Sequence, residues 1–501
     1  MCLKIFFLIL RRRRRKLMFS RPIARMTPRM LILRFLRRPN WSSLTFNVRK
    51  RLIGSRRLLL NSWRKGIITL VIFMLWLTRS VLFMIFIKLI VVMVLLLIMG
   101  MRLLTAVNFF HNHLNKNFCS TPIVDHSFIP CIVSQEENGS LCCAPPLEEV
   151  KHTLFEMNAD SVAGPDGFTV KFFQHLWQVI SDDVYDAVLD FFNGNLFPKF
   201  FTSTYIVLIP KSNNVNTWND FRPISLCTVF YKLISKILVN RLSVLLPKLI
   251  SPNQMGFVKG RAIVDNILIA QEFCQDLDIK TRGRNMILKL DIAKAYDNIN
   301  WCFIYKMLEF FGFDVKFISL ISLCIESPFF SIILNGKCHG FFKSSHGLRQ
   351  GDPISPAIFI LAVDYLSRGL SDLFCKSHSM FFRTLGGINI SHLCFADDFI
   401  IFMNASKNKV SKVLRFFEQF EAASGLIFNK AKSEFVISKN VNHNRVMDIK
   451  NLLGFSQVIL PLKYLGIPLF KGRKKTFLLD ELISKVHNRL SSWDLIFEFW
   501  W

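Results

Sequence analysis

The stretch His392-Leu393-Cys394-Phe395-Ala396-Asp397-Asp398-Phe399-Ile400-Ile401-Phe402 places two adjacent aspartates between two apolar runs. Short apolar runs are typical of buried strands, so we predict a hairpin with Asp397 and Asp398 at its tip. Two neighbouring carboxylates repel each other and resist removal from water. A divalent cation would hold them in place, and a pair of Mg²⁺ ions needs further oxygen ligands from another segment.

A second apolar run also ends at a carboxylate. Met286-Ile287-Leu288-Lys289-Leu290 predicts a buried strand, and Asp291 follows it directly. The carboxyl end of a strand is a usual place for a ligand in an α/β layer. Asp291 and Asp397 lie 106 residues apart in the sequence, so only the fold could bring them together. A lone Asp-Asp pair is usually a turn, but the second strand that ends in Asp favours a metal site.

Several further blocks resemble, in the same order, the reverse transcriptase of a LINE-type non-LTR retrotransposon of the sort found in plants. The resemblance covers about residues 105–495. Together with the two aspartate segments, it is carried by Gly164-Pro165-Asp166-Gly167-Phe168, Leu208-Ile209-Pro210-Lys211, Phe221-Arg222-Pro223-Ile224-Ser225-Leu226, Gln254-Met255-Gly256-Phe257, Gly260-Arg261, Gly347-Leu348-Arg349-Gln350-Gly351-Asp352-Pro353-Ile354-Ser355-Pro356, Gly425-Leu426 with Asn429, Lys432 and Ser433, and Tyr464-Leu465-Gly466-Ile467-Pro468-Leu469.

The resemblance implies an α+β fold of the right-hand polymerase type, with fingers and a palm of antiparallel strands backed by helices. It implies an RNA-directed DNA polymerase that joins a dNTP to the 3′-hydroxyl of a DNA primer on an RNA template. Asp291, Asp397 and Asp398 would bind two Mg²⁺ ions, with Mn²⁺ as an alternative. In such chemistry, positioning and electrostatic stabilisation supply most of the acceleration.

Other matched residues would bind the incoming nucleotide. Lys211 and Arg222 match the fingers residues that grip the triphosphate, and the planar fork of Arg suits phosphate; alternatively, both are solvated loop charges. Tyr296 matches the aromatic residue that stacks under the sugar and would clash with a 2′-hydroxyl; alternatively, it is a core aromatic.

The remaining matched residues concern the template, the leaving group and the primer. Gln350 and Gly351 resemble the template-contact site, where glycine allows close backbone approach. Lys432 matches a lysine proposed to protonate the departing pyrophosphate, although an exposed lysine beside Lys430 is ordinary. Residues 464–469 resemble the primer grip, and half of them could simply pack in the core.

The charge of the chain is distributed unevenly. Residues 1–124 contain 24 Lys and Arg and no acidic residue, whereas the rest holds 40 basic and 35 acidic residues. The net charge of +29 therefore divides into +24 and +5. The modest excess of the second part suits binding to a phosphate backbone.

The basic, apolar segment 1–104 has five interpretations, of which four assume that it is translated in its native frame. A membrane-spanning helix at about residues 80–101 is long enough but carries Lys88 near its centre. A transit peptide would be Arg-rich but much shorter, and a secretory signal would not place its apolar run before Arg11–Arg15. A basic nucleic-acid arm would not carry such apolar stretches.

Translation out of frame is the interpretation that we favour in place of these. Shifted back by one base, residues 65–74 permit Glu-Gly-Asp-Asn-Asn-Thr-Arg-Tyr-Phe-His, which resembles a block just upstream of the polymerase in plant LINE proteins. Shifted forward by one base, residues 497–501 permit Leu-Ser-Phe-Gly-Gly, which resembles the family's continuation. We therefore expect residues 1–104 to be non-native sequence and the chain to be a fragment of a longer element.

The expected organisation is a linker at 105–150, fingers at 151–284, a palm at 285–470 and the truncated start of a thumb at 471–501. Helical patterning is expected at 231–246 and 265–278, helix followed by a hairpin around Asn335-Gly336 within 301–346, a helix from about Ala357, and an amphipathic helix at 478–493. About 390 native-looking residues suffice for a sizeable core.

Three alternatives to an active polymerase stay open on the sequence. The chain could be an inactive remnant, an RNA-binding splicing cofactor that resembles organelle intron maturases, or a membrane protein. The twelve cysteines show no paired spacing, which favours reduced thiols and an intracellular place, nuclear or cytoplasmic. The expected partners are RNA template, DNA primer and dNTP, without a membrane or protein partner.

Overall fold

The computed structural model describes residues 105–115, 125–212, 214–473 and 476–488. The predictions for residues 1–104 and for the end of the chain beyond residue 488 lie outside the described residues. This includes the suggested membrane span at 80–101 and the out-of-frame interpretation.

The described residues form fifteen α-helices and eleven strands, joined by turns, loops and short 3-10 helices. The helices are α1 (residues 105–114), α2 (Gln135–Cys142), α3 (Leu147–Glu156), α4 (Val170–His175), α5 (Trp177–Phe192), α6 (Lys199–Thr202), α7 (Val229–Leu249), α8 (Ile263–Gln275), α9 (Ala295–Asn298), α10 (Trp301–Phe311), α11 (Val315–Glu326), α12 (Ser355–Cys375), α13 (Lys407–Ser424), α14 (His443–Leu453) and α15 (residues 480–488). The strands are β1 (Ser203–Pro210), β2 (Phe221–Cys227), β3 (Asn285–Leu290), β4 (Phe329–Leu334), β5 (Lys337–Phe342), β6 (His392–Phe395), β7 (Asp398–Asn404), β8 (Glu434–Ile437), β9 (Ser456–Gln457), β10 (Leu462–Tyr464) and β11 (Ile467–Leu469).

The palm is built on a five-stranded sheet of order β6-β7-β3-β8-β9. Its central strands pair antiparallel, as predicted, and only the short β8–β9 pair at the edge is parallel. The apolar run of β3 is buried on both faces. Met286, Leu288 and Leu290 face a large core that α10, α12 and α13 complete, whereas Ile287 faces a smaller cluster formed with α8 and the β10–β11 hairpin. Burial on both faces explains why β3 reads as continuous rather than alternating apolar sequence.

The fingers sheet has the order β2-β1-β4-β5. β1 pairs antiparallel with β2 and parallel with β4, and β4 and β5 form a hairpin. This hairpin lies within the range 285–470 that the sequence assigned to the palm, yet its hydrogen bonds join it to the fingers strands. Conversely, α8 lies within the range 151–284 assigned to the fingers, but its buried residues pack against the palm sheet. Each of the two expected ranges, 151–284 and 285–470, therefore contributes one element to the other subdomain.

Most of the predicted secondary structure is confirmed. The helical patterns at 231–246 and 265–278 are α7 and α8, and the pattern at 301–346 is two helices followed by the β4–β5 hairpin. Asn335 and Gly336 both have positive φ, 51° and 72°, which is the geometry of a two-residue hairpin turn. The helix expected from about Ala357 begins at Ser355. The linker predicted at 105–150 contains α1 and α2 and the start of α3.

The Gly164–Gly167 turn packs directly on the end of β2. A Cβ atom at Gly164 would lie 2.4 Å from the carbonyl oxygen of Cys227, so no larger residue fits. Asp166 accepts a hydrogen bond from the backbone N–H of Phe168 at 3.2 Å. Burial nevertheless raises the pKa of Asp166 to about 6.

The buried carboxyl of Asp166 predicts a pH dependence of stability. Because its pKa is higher in the folded state, Asp166 stabilises the fold below about pH 4, and this contribution is lost as the pH rises through about 6. We expect Asp166→Asn to remove a pH-dependent contribution on the order of 2 kcal/mol. Urea unfolding at pH 4.5 and pH 7 measures it, with exposed Asp160→Asn as the control. An unchanged pH profile in Asp166→Asn would contradict the assignment.

Among the helices in the described ranges, none combines the length and the apolar character needed to cross a membrane. The ten cysteines in those ranges are all free thiols.

Candidate active site

The register of the palm strands places the three predicted aspartates at one end of the sheet. Leu290 of β3 pairs with Phe399 of β7, so the same register continued by one residue sets Asp291 opposite Asp398. Directly opposed residues on antiparallel strands lie about 5 Å apart between Cα atoms. β6 and β7 pair as Phe395 with Asp398, which leaves Asp397 in the turn. The predicted hairpin with the aspartates at its tip is confirmed.

The hairpin tip is held in a backbone conformation that few residues adopt. Ala396 has a φ of 55°, in the left-handed region. Its N–H donates to Oε1 of Gln254 at 2.8 Å, and Nε2 of Gln254 donates to its carbonyl oxygen at 3.2 Å. A Cβ atom at Gly256 would lie 2.6 Å from the nitrogen of Ala396. The block Gln254-Met255-Gly256-Phe257 therefore clamps the hairpin, a role that the sequence alone did not assign.

The carboxylates at this end of the sheet disfavour each other's charge. Burial, together with repulsion from Asp291, raises the pKa of Asp397. Burial, then repulsion from Asp397 and Asp291, raises the pKa of Asp398 to about 6, although Lys289 partly offsets the repulsion. Asp397 and Asp398 are thus desolvated, and both are repelled by the charge of Asp291. A divalent cation would relieve both the repulsion and the desolvation.

The donor set fits magnesium in its chemistry. Mg²⁺ prefers carboxylate oxygens, and it usually keeps water and substrate phosphate as its other ligands. Within the described residues, no group of three or more His, Cys, Asp or Glu side chains is arranged to hold a metal ion by itself. The assignment of Asp291, Asp397 and Asp398 as metal ligands therefore stays a prediction, supported by their electrostatic proximity.

A turn after α13 supports the backbone of Asp291. The N–H of Asp291 donates to the hydroxyl of Ser433 at 3.2 Å, and its carbonyl oxygen accepts from the N–H of Asn429 at 2.8 Å. Lys432 belongs to this turn, and its own N–H donates to the carbonyl oxygen of Asn429 at 3.1 Å. The side chain of Lys432 is exposed. The turn thus brings Lys432 to the neighbourhood of the palm aspartates without giving its ammonium a partner among the described residues.

Tyr296 lies in α9, just after the end of β3. Its ring stacks on that of Phe359 of α12, with centroids 4.6 Å apart and planes inclined by 16°. Burial raises the pKa of Tyr296, and the nearby charge of Asp397 adds to the effect. The ring is therefore supported by the core and also lies close to the carboxylates, so the nucleotide-facing and core-aromatic interpretations are compatible.

The loop before α12 presents Gln350 and Gly351. Nε2 of Gln350 donates to Oδ1 of Asp297 at 3.0 Å, and its carbonyl oxygen accepts from the N–H of Ser225 at 2.8 Å. Gly351 has a φ of 104°, and a Cβ atom there would lie 3.0 Å from the carbonyl oxygen of Ser225. The positive φ and the close approach of the loop to β2 therefore both favour glycine at this position.

A buried ion pair stabilises the loop that carries Gln350 and Gly351. Nη2 of Arg349 lies 2.6 Å from Oδ2 of Asp352, and both side chains are almost fully buried. The hydroxyl groups of Tyr231 and Ser235 also donate to Asp352. The guanidinium of Arg349 lies over the ring of Tyr231, 3.9 Å from its centroid. Burial opposes the charge of Arg349, but Asp352 together with Tyr231, Cys227 and Cys324 outweighs this effect and raises the pKa of Arg349 above its usual value. Arg349 and Asp352 belong to a block that was matched in the sequence, but the sequence did not predict that they form a buried ion pair.

Lys211 and Arg222 lie on the β1–β2 hairpin of the fingers. Arg222 pairs with Ile209 and is exposed. The ammonium of Lys211 donates to the carbonyl oxygen of Asn219 at 2.7 Å and is also exposed. Neither side chain contacts the palm aspartates within the described ranges. The structure thus brings Asp291, Asp397, Asp398 and Tyr296 together and leaves the two fingers cations on a separate sheet.

Comparisons with known proteins show to which family the chain belongs. Residues 209–469 match the family model described as reverse transcriptase (RNA-dependent DNA polymerase). The chain is 24% identical over 369 residues to the transposon TX1 uncharacterized 149 kDa protein of Xenopus laevis, which covers 72% of this chain and 27% of that protein. It is 29% identical over 251 residues to the Pol polyprotein of the type-2 retrotransposable element R2DM of Drosophila melanogaster, which covers 49% and 22% of the two chains.

A solved structure of apo telomerase from Candida tropicalis is also similar, at 16% identity and a TM-score of 0.37, covering 55% of this chain and 57% of that one. The chain spans about a quarter of the length of the two transposable-element proteins. The family match covers more than half of the chain and includes all three palm aspartates. The chain therefore belongs to the reverse transcriptase (RNA-dependent DNA polymerase) family.

Proposed function

We propose that this chain carries the RNA-directed DNA polymerase activity of a non-LTR retrotransposon. The observation that carries the proposal is the convergence of Asp291, Asp397 and Asp398 at one end of the palm sheet, where burial and mutual repulsion raise the pKa values of the last two. Such a site is costly for a fold unless a cation uses it. The family membership supports a polymerase as the user of this site.

In this proposal, each matched residue has a separate role in nucleotidyl transfer. When bound, two Mg²⁺ ions would stabilise the charge on the attacking and leaving oxygens. Arg222 and Lys211 would bind the triphosphate of the dNTP, Tyr296 would support its sugar, and Gln350 with Gly351 would contact the RNA template. Lys432 would donate a proton to the leaving pyrophosphate.

The proposal extends to the kind of element that encodes the protein and to its place in the cell. The resemblance of the ordered motif blocks suggests a plant LINE element as the source, and the matches to two transposable-element proteins support the broader class only. The free thiols support an intracellular location, in the nucleus or cytoplasm, where RNA template, DNA primer and dNTP are available.

Primer extension tests the proposed function. The full 501-residue chain is mixed with an RNA template, an annealed DNA primer, the four dNTPs and Mg²⁺, and the products are separated by length. We expect extension that requires Mg²⁺ and the RNA template. Absence of extension with both Mg²⁺ and Mn²⁺, in a sample that is folded by circular dichroism, would identify this chain as an inactive remnant and overturn the proposal.

Substitution of Tyr296 tests sugar selection. Tyr296→Ala removes the ring that lies close to Asp397 and stacks on Phe359. We expect a rise of about tenfold or more in incorporation of ribonucleotides relative to deoxynucleotides, because a steric clash with the 2′-hydroxyl is lost. Tyr296→Phe keeps the ring and should keep the ratio. An equal ratio in all three proteins would leave Tyr296 as a packing residue only.

A further inference from the structure

Helix α1 is built into the fingers rather than joined to them as a loose linker. Phe110 and Leu114 are buried with Ile206, Ile332 and Phe342 in a cluster between α1 and the fingers sheet. A Cβ atom at Gly340 would lie 2.9 Å from Val107, so β5 and α1 approach closely. Burial of two large apolar side chains on a short helix fixes which face it turns to the sheet.

The end of α1 is hydrogen-bonded to the segment that leads into the Gln350 loop. The N–H of Ser345 donates to the carbonyl oxygen of Leu114 at 2.9 Å, and Nδ2 of Asn115 donates to the carbonyl oxygen of Lys343 at 2.8 Å. These bonds set the position of α1 relative to residues 343–350.

His113 on α1 faces the carboxylate that holds Gln350. Nε2 of His113 lies 3.5 Å from Oδ2 of Asp297, and only 11% and 8% of the two side chains are exposed. The other oxygen of Asp297 accepts from Nε2 of Gln350 at 3.0 Å. A buried carboxylate needs a partner on each side to keep one orientation. His113 lies within ion-pair distance of the oxygen that Gln350 leaves open.

The same helix also meets the fingers hairpin through Lys294. The rings of Phe109 and His113 stack with centroids 5.9 Å apart, and the ammonium of Lys294 lies 5.2 Å from the Phe109 centroid. Nζ of Lys294 donates to Oδ1 of Asn219 at 2.6 Å. Asn219 also accepts from Lys211 through its carbonyl oxygen. One face of α1 therefore contacts Asp297 and Lys294, and Lys294 in turn bonds to the tip of the fingers.

We propose that His113 is a positioning residue for template binding, which acts through Asp297 to hold the side chain of Gln350. This inference rests on the proposed function for the role of Gln350, but the contact itself does not. Residues Phe109 and His113 then belong to the working polymerase, although they precede the matched range 209–469. His113 does not touch the reacting atoms and is not a catalytic residue.

Hydrogen exchange tests the contact without requiring activity. In the full chain, His113→Leu should speed exchange of the Ser225 amide, which donates to Gln350, and of residues 345–352, by about tenfold. His113→Gln keeps a polar side chain whose amide N–H can donate to Asp297, and it should restore protection. The matched control is His111→Leu on the same helix, since His111 is exposed and does not face Asp297. Equal exchange in His113→Leu and His111→Leu would overturn the proposal.

Kinetics test the consequence. We expect His113→Leu to raise the apparent KM for template–primer about tenfold with little change in kcat, because ground-state and transition-state binding of the template are lost equally. The double variant His113→Leu/Gln350→Ala should be no worse than Gln350→Ala alone. If the losses of template affinity in the two single variants added up in the double variant, His113 would not act through Gln350. If the unchanged chain extends no primer, the proposed function fails, whereas the exchange experiment still decides the role of His113.

Discussion

Asp397→Asn should reduce Mg²⁺-dependent primer extension by about a thousandfold or more, because a metal-bound transition state is stabilised by several kcal/mol and each 1.4 kcal/mol is tenfold in rate. Binding of the RNA template should remain nearly unchanged, since Asp397 carries no positive charge for the phosphate backbone. A gel-shift assay with labelled RNA and a single-turnover extension assay measure the two quantities.

The thermal stability of Asp397→Asn shows whether a loss of activity is caused by misfolding. Asp397 and Asp398 are partly buried like charges, so removal of one charge should leave the metal-free protein equally or more stable to heat. Asp160→Asn, at an exposed position, controls for a general effect of losing a carboxylate. Extension by Asp397→Asn within tenfold of the unchanged chain would refute the ligand role.

The second large effect is expected on stability. Arg349→Met should lower the free energy of unfolding by about 3–5 kcal/mol, because it leaves the carboxylate of Asp352 buried without its cation. Urea denaturation followed by circular dichroism measures the loss. The midpoint should fall with little change in the slope, since the surface exposed on unfolding is the same.

Two comparisons separate this buried pair from ordinary surface charge. The double variant Arg349→Met/Asp352→Leu removes both charges and should lose less than Arg349→Met alone. Lys407→Met breaks a half-exposed pair with Asp448 at 3.4 Å and should cost less than about 1 kcal/mol. A loss in Arg349→Met as small as that in Lys407→Met would show that the pair does not fix the loop.

Strand ends and turns were predictable because they depend on local sequence. The apolar runs before Asp291 and around Asp397 and Asp398 predicted buried strands, and the paired positive φ angles of Asn335 and Gly336 follow from the preference of Asn-Gly for such turns. The helical spacing of apolar residues likewise predicted α7 and α8. It did not find that the β4–β5 hairpin joins the fingers sheet, because strand pairing across more than 100 residues leaves no local signal.

The sequence by itself determined that three carboxylates end two buried strands, and the order of its motifs identified the family. Only the tertiary structure decided how the surrounding residues work. Gln254 clamps Ala396 across 142 residues, Asp352 gathers Arg349, Tyr231 and Ser235, and His113 meets Asp297 from α1. Each of these side chains reads locally as an ordinary polar residue. Its partner is chosen by the packing of distant segments, because a buried polar group must find its hydrogen bond wherever the fold brings one within reach.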